Sequence, residues 1–261
     1  MAGWSYVWKA GVPGATLETL TDYCTTVRVL AEWSTGKRGT NSVVQYRHGE
    51  YPSPRKYVRP ASFVLETHLR YTTAAGTVTH TDGAAGHVYE NLGHLKRIFG
   101  GTQGSLVRLQ RTAPDQGTVY MDVEQLGDAL PSQSRHVFGF PLHAPHPFWI
   151  GAADTGNTGA TLTVAGDAPI GDAVITLTGG TDGGIVHTAS GASVTITGAM
   201  PAGGVIVDVG AGTCVKVTGG ADWSQYLVVN KRWWFELDAG ANAVTNVGGT
   251  THSVDWYTQW R

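Results

Sequence analysis

Apolar and polar residues alternate with a period of two over many short stretches of this chain, which indicates β-strands rather than helices. The clearest stretch in the first half is Ser62–Thr72. Its apolar residues share one face of the predicted strand: Phe63, Leu65, Leu69 and Tyr71. Its charged or titratable residues share the other face: Glu66, His68 and Arg70. The apolar face needs a cover, and the charged face is expected to be wet or to meet a partner.

Similar stretches predict further strands in the first half: Thr26–Trp33, Ser42–Arg47, Leu106–Arg111, Thr118–Glu124 and Arg135–Leu142. Only Val88–Phe99 has the period of a helix. Its apolar residues recur at spacings of four, three and four and form one stripe: Val88, Leu92, Leu95 and Phe99. Lys96 and Arg97 suit the negative end of the helix dipole, and the following glycine pair ends the helix.

The second half alternates between short apolar runs and glycine-rich turns. The predicted strands are Thr161–Ala165, Ala173–Thr178, Gly184–Thr188, Ser193–Thr197, Val205–Val209, Cys214–Thr218, Tyr226–Val229, Trp233–Leu237, Ala243–Val247 and Ser253–Trp260. A spacing of about 8–12 residues is typical of a β-sandwich or jelly roll. We therefore expect a two-sheet domain here.

The end of the chain predicts a turn followed by a closing strand. In the motif Leu237-x-x-Gly240-x-Asn242, glycine supplies a backbone angle that other residues resist, and asparagine can bond a nearby backbone group. The closing strand is predicted to place Val254, Trp256, Thr258 and Trp260 on one face. Its other face would carry Asp255, Tyr257 and Gln259.

Composition and charge suggest two modules. The chain has 36 glycines and only 15% charged residues, as expected for strands and turns. Residues 1–150 contain 14 Lys and Arg against 11 Asp and Glu (+3), whereas residues 151–261 contain 4 against 9 (−5). The net charge of −2 argues against a dedicated nucleic-acid binder. The two prolines in Ala144–Trp149 favour an extended junction, so we predict domains at 1–147 and 148–261.

Three features bear on the compartment. Cys24 and Cys214 lie far apart, and buried free thiols are expected rather than a disulfide. The segment Met1–Ser5 lacks the basic and apolar parts of a signal peptide. No stretch approaches the roughly 20 apolar residues of a membrane span. We expect a soluble protein made in a cytoplasm, without contact with a membrane.

Candidate chemistry is weak in this sequence. His143 and His146 form the best local histidine pair, but no cysteine or acid stands at ligand spacing, so no metal is expected. His87 and His94 share a helix face that is expected to be solvated or an interface. Asp122 and Glu124 share a strand face, which suits a glycosidase pair or, more simply, a wet face.

Two further features concern the second half. Asp208 lies within an apolar strand and is expected to be exposed or paired with a cation. No nucleophile elbow or phosphate loop occurs, so neither catalytic residues nor a cofactor are predicted. Tryptophan is abundant there, and an exposed aromatic ring can bind a sugar or lie in a protein interface. The candidate carbohydrate or interface residues are Trp223, Trp233 and Trp234.

The order of these features resembles the distal tail protein family of siphophages, the Dit-like tail hub proteins, and its Ala-, Gly- and Trp-rich composition is similar to minor tail proteins of actinobacteriophages. The resemblance covers nearly the whole chain. Its segments are Arg47–Tyr51, the linker with Arg55, Lys56 and Tyr57, the strand Val58–Thr72, the helix Asn91–Phe99, the strands Leu106–Arg111 and Thr118–Glu124, the strand with Asp208, and the turn at Gly240 and Asn242.

The resemblance implies a mostly β fold with one helix: an N-terminal tail-tube-like β-sandwich or barrel and a C-terminal galectin-like β-sandwich. It also implies a non-enzymatic virion protein that forms a hexameric ring at the tail tip, the baseplate hub. The implied partners are the tail tube protein, tail-tip hub or fibre proteins and the tape measure protein, with DNA passing through the lumen without specific binding. Two rival hypotheses remain: a carbohydrate-binding tail protein that contacts the host surface, and a wall-degrading glycosidase.

Overall fold

The computed structural model of the protein describes residues 7–29, 37–38, 42–43, 50–51, 57–58, 61–100, 105–113, 116–132, 134–146, 148–229 and 235–260. Every structural statement below concerns these residues. Contacts between residues divide the chain into two compact units, with residues 57–149 in the first and 150–261 in the second. The N-terminal residues up to Arg38 group with the first unit, and the described residues 42–43 and 50–51 group with the second. The boundary that we predicted at residues 147 and 148 stays a prediction.

The first half of the chain is built from strands and one long helix. The strands are β1 (Val7–Gly11), β2 (Glu18–Thr19), β3 (Cys24–Val29), β4 (Lys37–Arg38), β5 (Ser42–Val43), β6 (Glu50–Tyr51), β7 (Tyr57–Val58), β8 (Ala61–Leu69), β9 (Val107–Ala113), β10 (Gly117–Gln125), β11 (Leu130–Pro131) and β12 (Val137–Ala144). The helix α1 spans Gly83–Phe99, and a 3₁₀ turn spans Leu20–Asp22. Of the predicted strands Thr26–Trp33 and Ser42–Arg47, the later residues lie outside the described part of the chain.

The first unit is organised around one antiparallel sheet in the order β2-β1-β9-β10-β12-β8-β3, with β11 paired to β12. The alternating residues bury one face of this sheet, as the strand pattern predicted. Its fully buried side chains include Leu65, Leu109, Met121, Phe140 and Leu142. Helix α1 packs on this face, and the rings of Phe99 and Phe140 lie 5.0 Å apart.

Helix α1 begins five residues before the predicted start at Val88. The added residues are Gly, Ala, Ala, Gly and His, so no large apolar side chain marks this turn in the sequence. The inward stripe also differs, because Asn91 rather than Leu92 is buried beside Val88, Leu95 and Phe99. The Asn91 amide donates to the carbonyl of Arg70, which satisfies the buried polar group.

The second unit is a β-sandwich, as predicted. Its strands are β13 (Trp149–Asn157), β14 (Thr161–Val164), β15 (Val174–Thr178), β16 (Gly184–His187), β17 (Ser193–Ile196), β18 (Val205–Asp208), β19 (Thr213–Lys216), β20 (Leu227–Val229), β21 (Gly240–Val247) and β22 (Thr251–Trp260). A 3₁₀ turn spans Ser224–Tyr226. One sheet contains β19-β18-β15-β22-β13, and the other contains β14-β21-β16-β17-β20.

Alternate residues of both sheets form the core of the sandwich. The buried set includes Leu162, Ile175, Leu177, Ile185, Val194, Ile196, Val207, Phe235, Val244, Val254 and Trp256. The prediction of a strand at Trp233–Leu237 was wrong for its described residues, 235–237. Phe235 is buried there, and Leu237 instead exchanges two backbone hydrogen bonds with Ile170 as an isolated bridge.

The turn before the closing hairpin matches the prediction. Gly240 has a φ of +94°, which is costly for any residue with a Cβ. Asn242 is buried, and its Oδ1 accepts the Asp238 N–H at 2.8 Å. Its Nδ2 donates to the carbonyls of Asp238 at 2.8 Å and Gly240 at 3.0 Å. One side chain therefore ties the turn to strand β21.

The closing strand departs from strict alternation near its end. Val254 and Trp256 point inward as predicted, but Gln259, placed on the opposite face, is 2% exposed. The side-chain amide of Gln259 donates to Asp172 Oδ1 at 3.0 Å, whereas the backbone carbonyl of the same residue accepts the N–H groups of Asp167 and Ala168. The bond to Asp172 gives the buried glutamine side chain a polar partner where the sequence predicted a surface residue.

Replacing Asn242 with alanine should lower the free energy of unfolding of the second unit by about 1–3 kcal/mol, because buried backbone groups at Asp238 and Gly240 lose their partners. Urea denaturation followed by tryptophan fluorescence measures the change. The matched control is Thr245→Ala on the exposed face of the same strand, which should stay within about 0.5 kcal/mol of the wild type. Equal stability of N242A and T245A would contradict this role of the asparagine.

Candidate assembly surface

The outward face of strands β3 and β8 in the first unit carries a polar network centred on Glu66. Glu66 is 6% exposed although the strand pattern placed it on a wet face, so that prediction was wrong for this residue. The Arg28 side chain, on the paired position of β3, donates to Glu66 Oε1 at 2.5 Å. His68 Nε2 lies 3.0 Å from the same oxygen. These two side chains exclude water from the carboxylate and replace it as donors.

The network sets the charge of Glu66. Burial alone would raise the pKa of this carboxyl, but the hydrogen bonds from Arg28 and His68 outweigh burial and lower the pKa below its ordinary value of 4.5. Glu66 therefore stays ionised and joins β3, the last strand of the sheet, to β8. Tyr71, which the strand pattern placed on the apolar face, is instead 46% exposed, and its hydroxyl lies 2.7 Å from His136 Nδ1.

Strand β3 presents an edge of this sheet. Within the described part of the chain, it pairs with β8 on one side and with no strand on the other. Thr25, Thr26 and Arg28 are exposed along it. The backbone groups on an open edge are ready to pair with another strand, so such an edge invites association.

Exposed apolar side chains also concentrate in the first unit. Of twelve large apolar residues that stand out from the described surface, eight belong to it, although both units have similar numbers of described residues. These eight are Val7, Val12, Tyr71, Val78, Tyr89, Leu106, Leu126 and Leu130. Tyr89 on helix α1 is 74% exposed. Scattered apolar residues are ordinary, but their bias toward one unit makes that unit the better candidate for assembly.

The carboxylates considered for catalysis occupy a structural setting. Both oxygens of Asp122 accept from Arg108, at 2.8 Å each, across the β9–β10 pair. The Arg108 guanidinium lies 3.9 Å from the centre of the Tyr120 ring, and its hydrogen bond to Asp122 raises the pKa of the arginine. Glu124 is paired in register with His143. Asp122 thus uses both of its oxygens in a bidentate ion pair that joins β9 to β10.

The histidines serve in hydrogen bonds and ring contacts. His143 Nδ1 lies 3.1 Å from the Ser62 hydroxyl, and the ring of His146 lies 5.5 Å from that of Phe148. No group of three metal-ligating side chains occurs among the residues that the structure describes. His94 stacks on Tyr23 at 5.0 Å and contacts Arg97.

The expectation of a solvated or interface helix face was wrong for His87, which is 2% exposed within the chain itself. Its Nε2 accepts two backbone N–H groups from the segment that precedes the helix. Asp208 also differs from its prediction. It is half-buried and accepts the Ala211 N–H at 2.7 Å, so it orders the turn after β18 instead of pairing with a cation.

Both cysteines are free and buried, as predicted. Burial raises the pKa of the Cys24 thiol to about 12 and that of Cys214 to about 11. Thiolates are the reactive form of cysteine, so neither side chain suits nucleophilic chemistry at neutral pH.

Among the candidate tryptophans, the structure describes Trp223, whereas Trp233 and Trp234 lie outside the described residues. Trp223 is half-buried and packs against the sandwich core. Its ring lies 4.3 Å from that of Tyr226, and Lys216 Nζ lies 4.2 Å from its centre. The exposed aromatic of this cluster is Tyr226, which sequence reasoning did not single out. Its position in a short turn after Trp223 was the available signal.

Acid should lower the free energy of unfolding of the first unit, because Glu66 becomes protonated. Because the folded state lowers the pKa of this carboxyl, its stabilising contribution is complete above about pH 4.5 and is lost as the pH falls through the folded-state value. Glu66→Gln should cost about 1–3 kcal/mol at pH 7 and flatten the acid limb of a stability curve. Glu124→Gln is the matched control. An acid limb of equal steepness in E66Q and wild type would contradict the assignment.

Known proteins resemble this chain in fold but not in sequence. No protein-family model matches the sequence, and no curated protein matches it. Among solved structures, this chain is similar to the SPP1 Dit protein, with a TM-score of 0.59 and 12% sequence identity. The match covers 98% of this chain and 100% of that chain. SPP1 Dit is described as a paradigm of the hub adsorption apparatus in phages that infect Gram-positive bacteria. Two structures of the phage p2 baseplate also match, each with a TM-score of only 0.36. The structure with strontium has 11% identity and covers 97% of this chain, and the structure with calcium has 12% identity and covers 96%. Each match covers 98% of the baseplate chain.

The likeness to SPP1 Dit extends over both units of the chain. It agrees with the mostly β architecture and the single helix among the described residues. The chain therefore has the fold of a phage distal tail protein, which confirms at the level of the fold the resemblance drawn from its sequence.

Proposed function

We propose that this chain is a structural virion protein, a distal tail hub subunit of which six copies form a ring. The observation that carries the proposal is the full-length likeness in fold to a hub protein. A fold can serve several functions, so the features of the surface supply the remaining support. No catalytic step belongs to the proposal.

The first unit supplies the contacts of the ring. Its sheet has an open edge at β3 among the described residues, and its surface holds most of the exposed large apolar side chains. A head-to-tail contact between identical subunits closes into a ring and covers such an edge without leaving another exposed. A permanent contact of this kind buries on the order of 2,000 Å² or more.

The ring would connect the tail tube protein on one face to tail-tip hub or fibre proteins on the other, with the tape measure protein as a further neighbour. DNA would pass through the lumen. The balance of +3 over residues 1–150 is compatible with weak phosphate attraction, and a lumen that gripped phosphates tightly would slow passage. No helix among the described residues is both long and apolar enough to span a membrane, and the proposed location is the virion tail tip.

One observation favours carbohydrate contact as a second function. Tyr226 presents its ring at the surface beside Trp223 and Lys216, and a ring with a nearby polar head suits sugar stacking. The acidic balance of the second half would select against strongly anionic glycans. The glycosidase hypothesis has no comparable support.

Light scattering should give a mass near six times the 27.6 kDa of one chain, about 166 kDa. Thr26→Lys on the open edge of β3 should shift the population toward the monomer, because lysine on an edge opposes strand pairing. The matched control is Thr245→Lys in the second unit, which should keep the wild-type mass. A wild-type protein that remains monomeric at virion-like concentrations would overturn the ring.

The carbohydrate function predicts that the full chain binds purified cell-wall glycan and that Tyr226→Ala weakens binding at least tenfold without changing thermal stability. Trp223→Ala is expected to lose stability as well, since Trp223 packs on the core. Tyr257→Ala, an exposed tyrosine on β22, is the control. Binding that is absent, or that is equal in Y226A and wild type, removes this function.

A further inference from the structure

The segment between β8 and helix α1 is held to the helix by one imidazole. His87 lies in the second turn of α1 and is 2% exposed. Its Nε2 accepts the backbone N–H of Thr79 at 2.8 Å and that of His80 at 3.0 Å. Two donors converge on one ring nitrogen, so this nitrogen must carry a lone pair. The hydrogen-bond network thus assigns the proton to Nδ1 in the neutral ring.

The groups around His87 leave no acceptor for a second proton. Nδ1 lies 3.5 Å from Glu90 Oε2 in the next turn, on the side that already carries hydrogen. The half-exposed Glu90 attracts the ring in either state, and solvent screens its preference for the cation. On the other side, Nε2 faces two N–H donors. A proton there would replace two hydrogen bonds with two repulsive contacts.

The neighbouring His80 differs in this respect. Its ring meets that of His87 edge-on at 5.7 Å, and its Nδ1 accepts the Asp82 N–H at 3.1 Å. The Asp82 carboxylate lies 3.8 Å from the same nitrogen and can accept from it after protonation. Gly86 allows this packing, because a Cβ there would lie 2.0 Å from His80 Nδ1. The nitrogen of His80 that would gain a proton therefore has a carboxylate beside it, whereas Nε2 of His87 faces only donors among the described residues.

We propose that His87 is an acid-sensitive latch: protonation of its imidazole releases residues 78–82 from helix α1. Histidine is the side chain that changes charge between about pH 5 and 8. Release frees the backbone N–H groups of Thr79 and His80 and moves the exposed Val78. The latch changes the surface of the first unit whether or not the protein forms a ring.

The backbone N–H groups of Thr79 and His80 lose their hydrogen bonds to His87 when the latch opens, so their exchange with solvent measures the opening. Hydrogen exchange, corrected for the intrinsic effect of pH, should show their protection falling about tenfold or more between about pH 7.5 and about pH 5. The Thr77 amide, which donates to the Thr73 hydroxyl in the same segment, is an internal control and should not change. The pH stays above the range in which Glu66 titrates.

The matched variant is His87→Gln, whose amide oxygen accepts hydrogen bonds at every pH. In H87Q the protection of both amides should be independent of pH. Equal protection of the wild-type amides at both pH values, or an equal loss in H87Q, would overturn the latch. Should H87Q fail to fold, spectra of ¹⁵N-labelled histidine decide the matter: an Nε2 that remains an unprotonated acceptor at about pH 5 would exclude the proposal.

Discussion

The long strands among the described residues each have an apolar face to bury and backbone edges to pair, and the rest of the structure depends on how each unit meets these two needs. In the second unit, two sheets bury their inner faces against each other. In the first, a single sheet receives helix α1 on its apolar face. Both units have sheet edges among the described residues, at β3 in the first and at β14 and β20 in the second, but the first unit holds most of the exposed large apolar residues. This asymmetry is the physical reason to assign assembly to the first unit.

Buried polar side chains on the sheet and on helix α1 are satisfied by partners outside their own strand or helix. Glu66 is covered by Arg28, 38 positions away, and Asn91 donates to the carbonyl of Arg70. In each case a buried polar atom fixes the position of an element that apolar packing alone leaves free to slide. His87 belongs to the same class, and its capacity to gain a proton makes its contact conditional.

The strands could be predicted from the sequence wherever buried and exposed residues alternate regularly. Strands such as Val174–Thr178 and Val205–Asp208 follow from alternation, because one face of each meets the core. The turn at Gly240 and Asn242 follows from the special properties of those two residues. The start of helix α1 could not be predicted, since the first five residues carry no large apolar side chain. Nor could the burial of Glu66, His87 and Gln259, which depends on partners brought in by tertiary structure. The family resemblance came from the order of the motifs, and the structure agrees with it at the level of the fold.

We propose that the first unit exposes β surface that identical copies cover in a ring. Rotational analysis of single-particle images of the purified full-length protein tests it most directly. The account predicts closed rings with six-fold symmetry in which neighbouring first units touch. Isolated single subunits, or assemblies held together through the second unit alone, would contradict it.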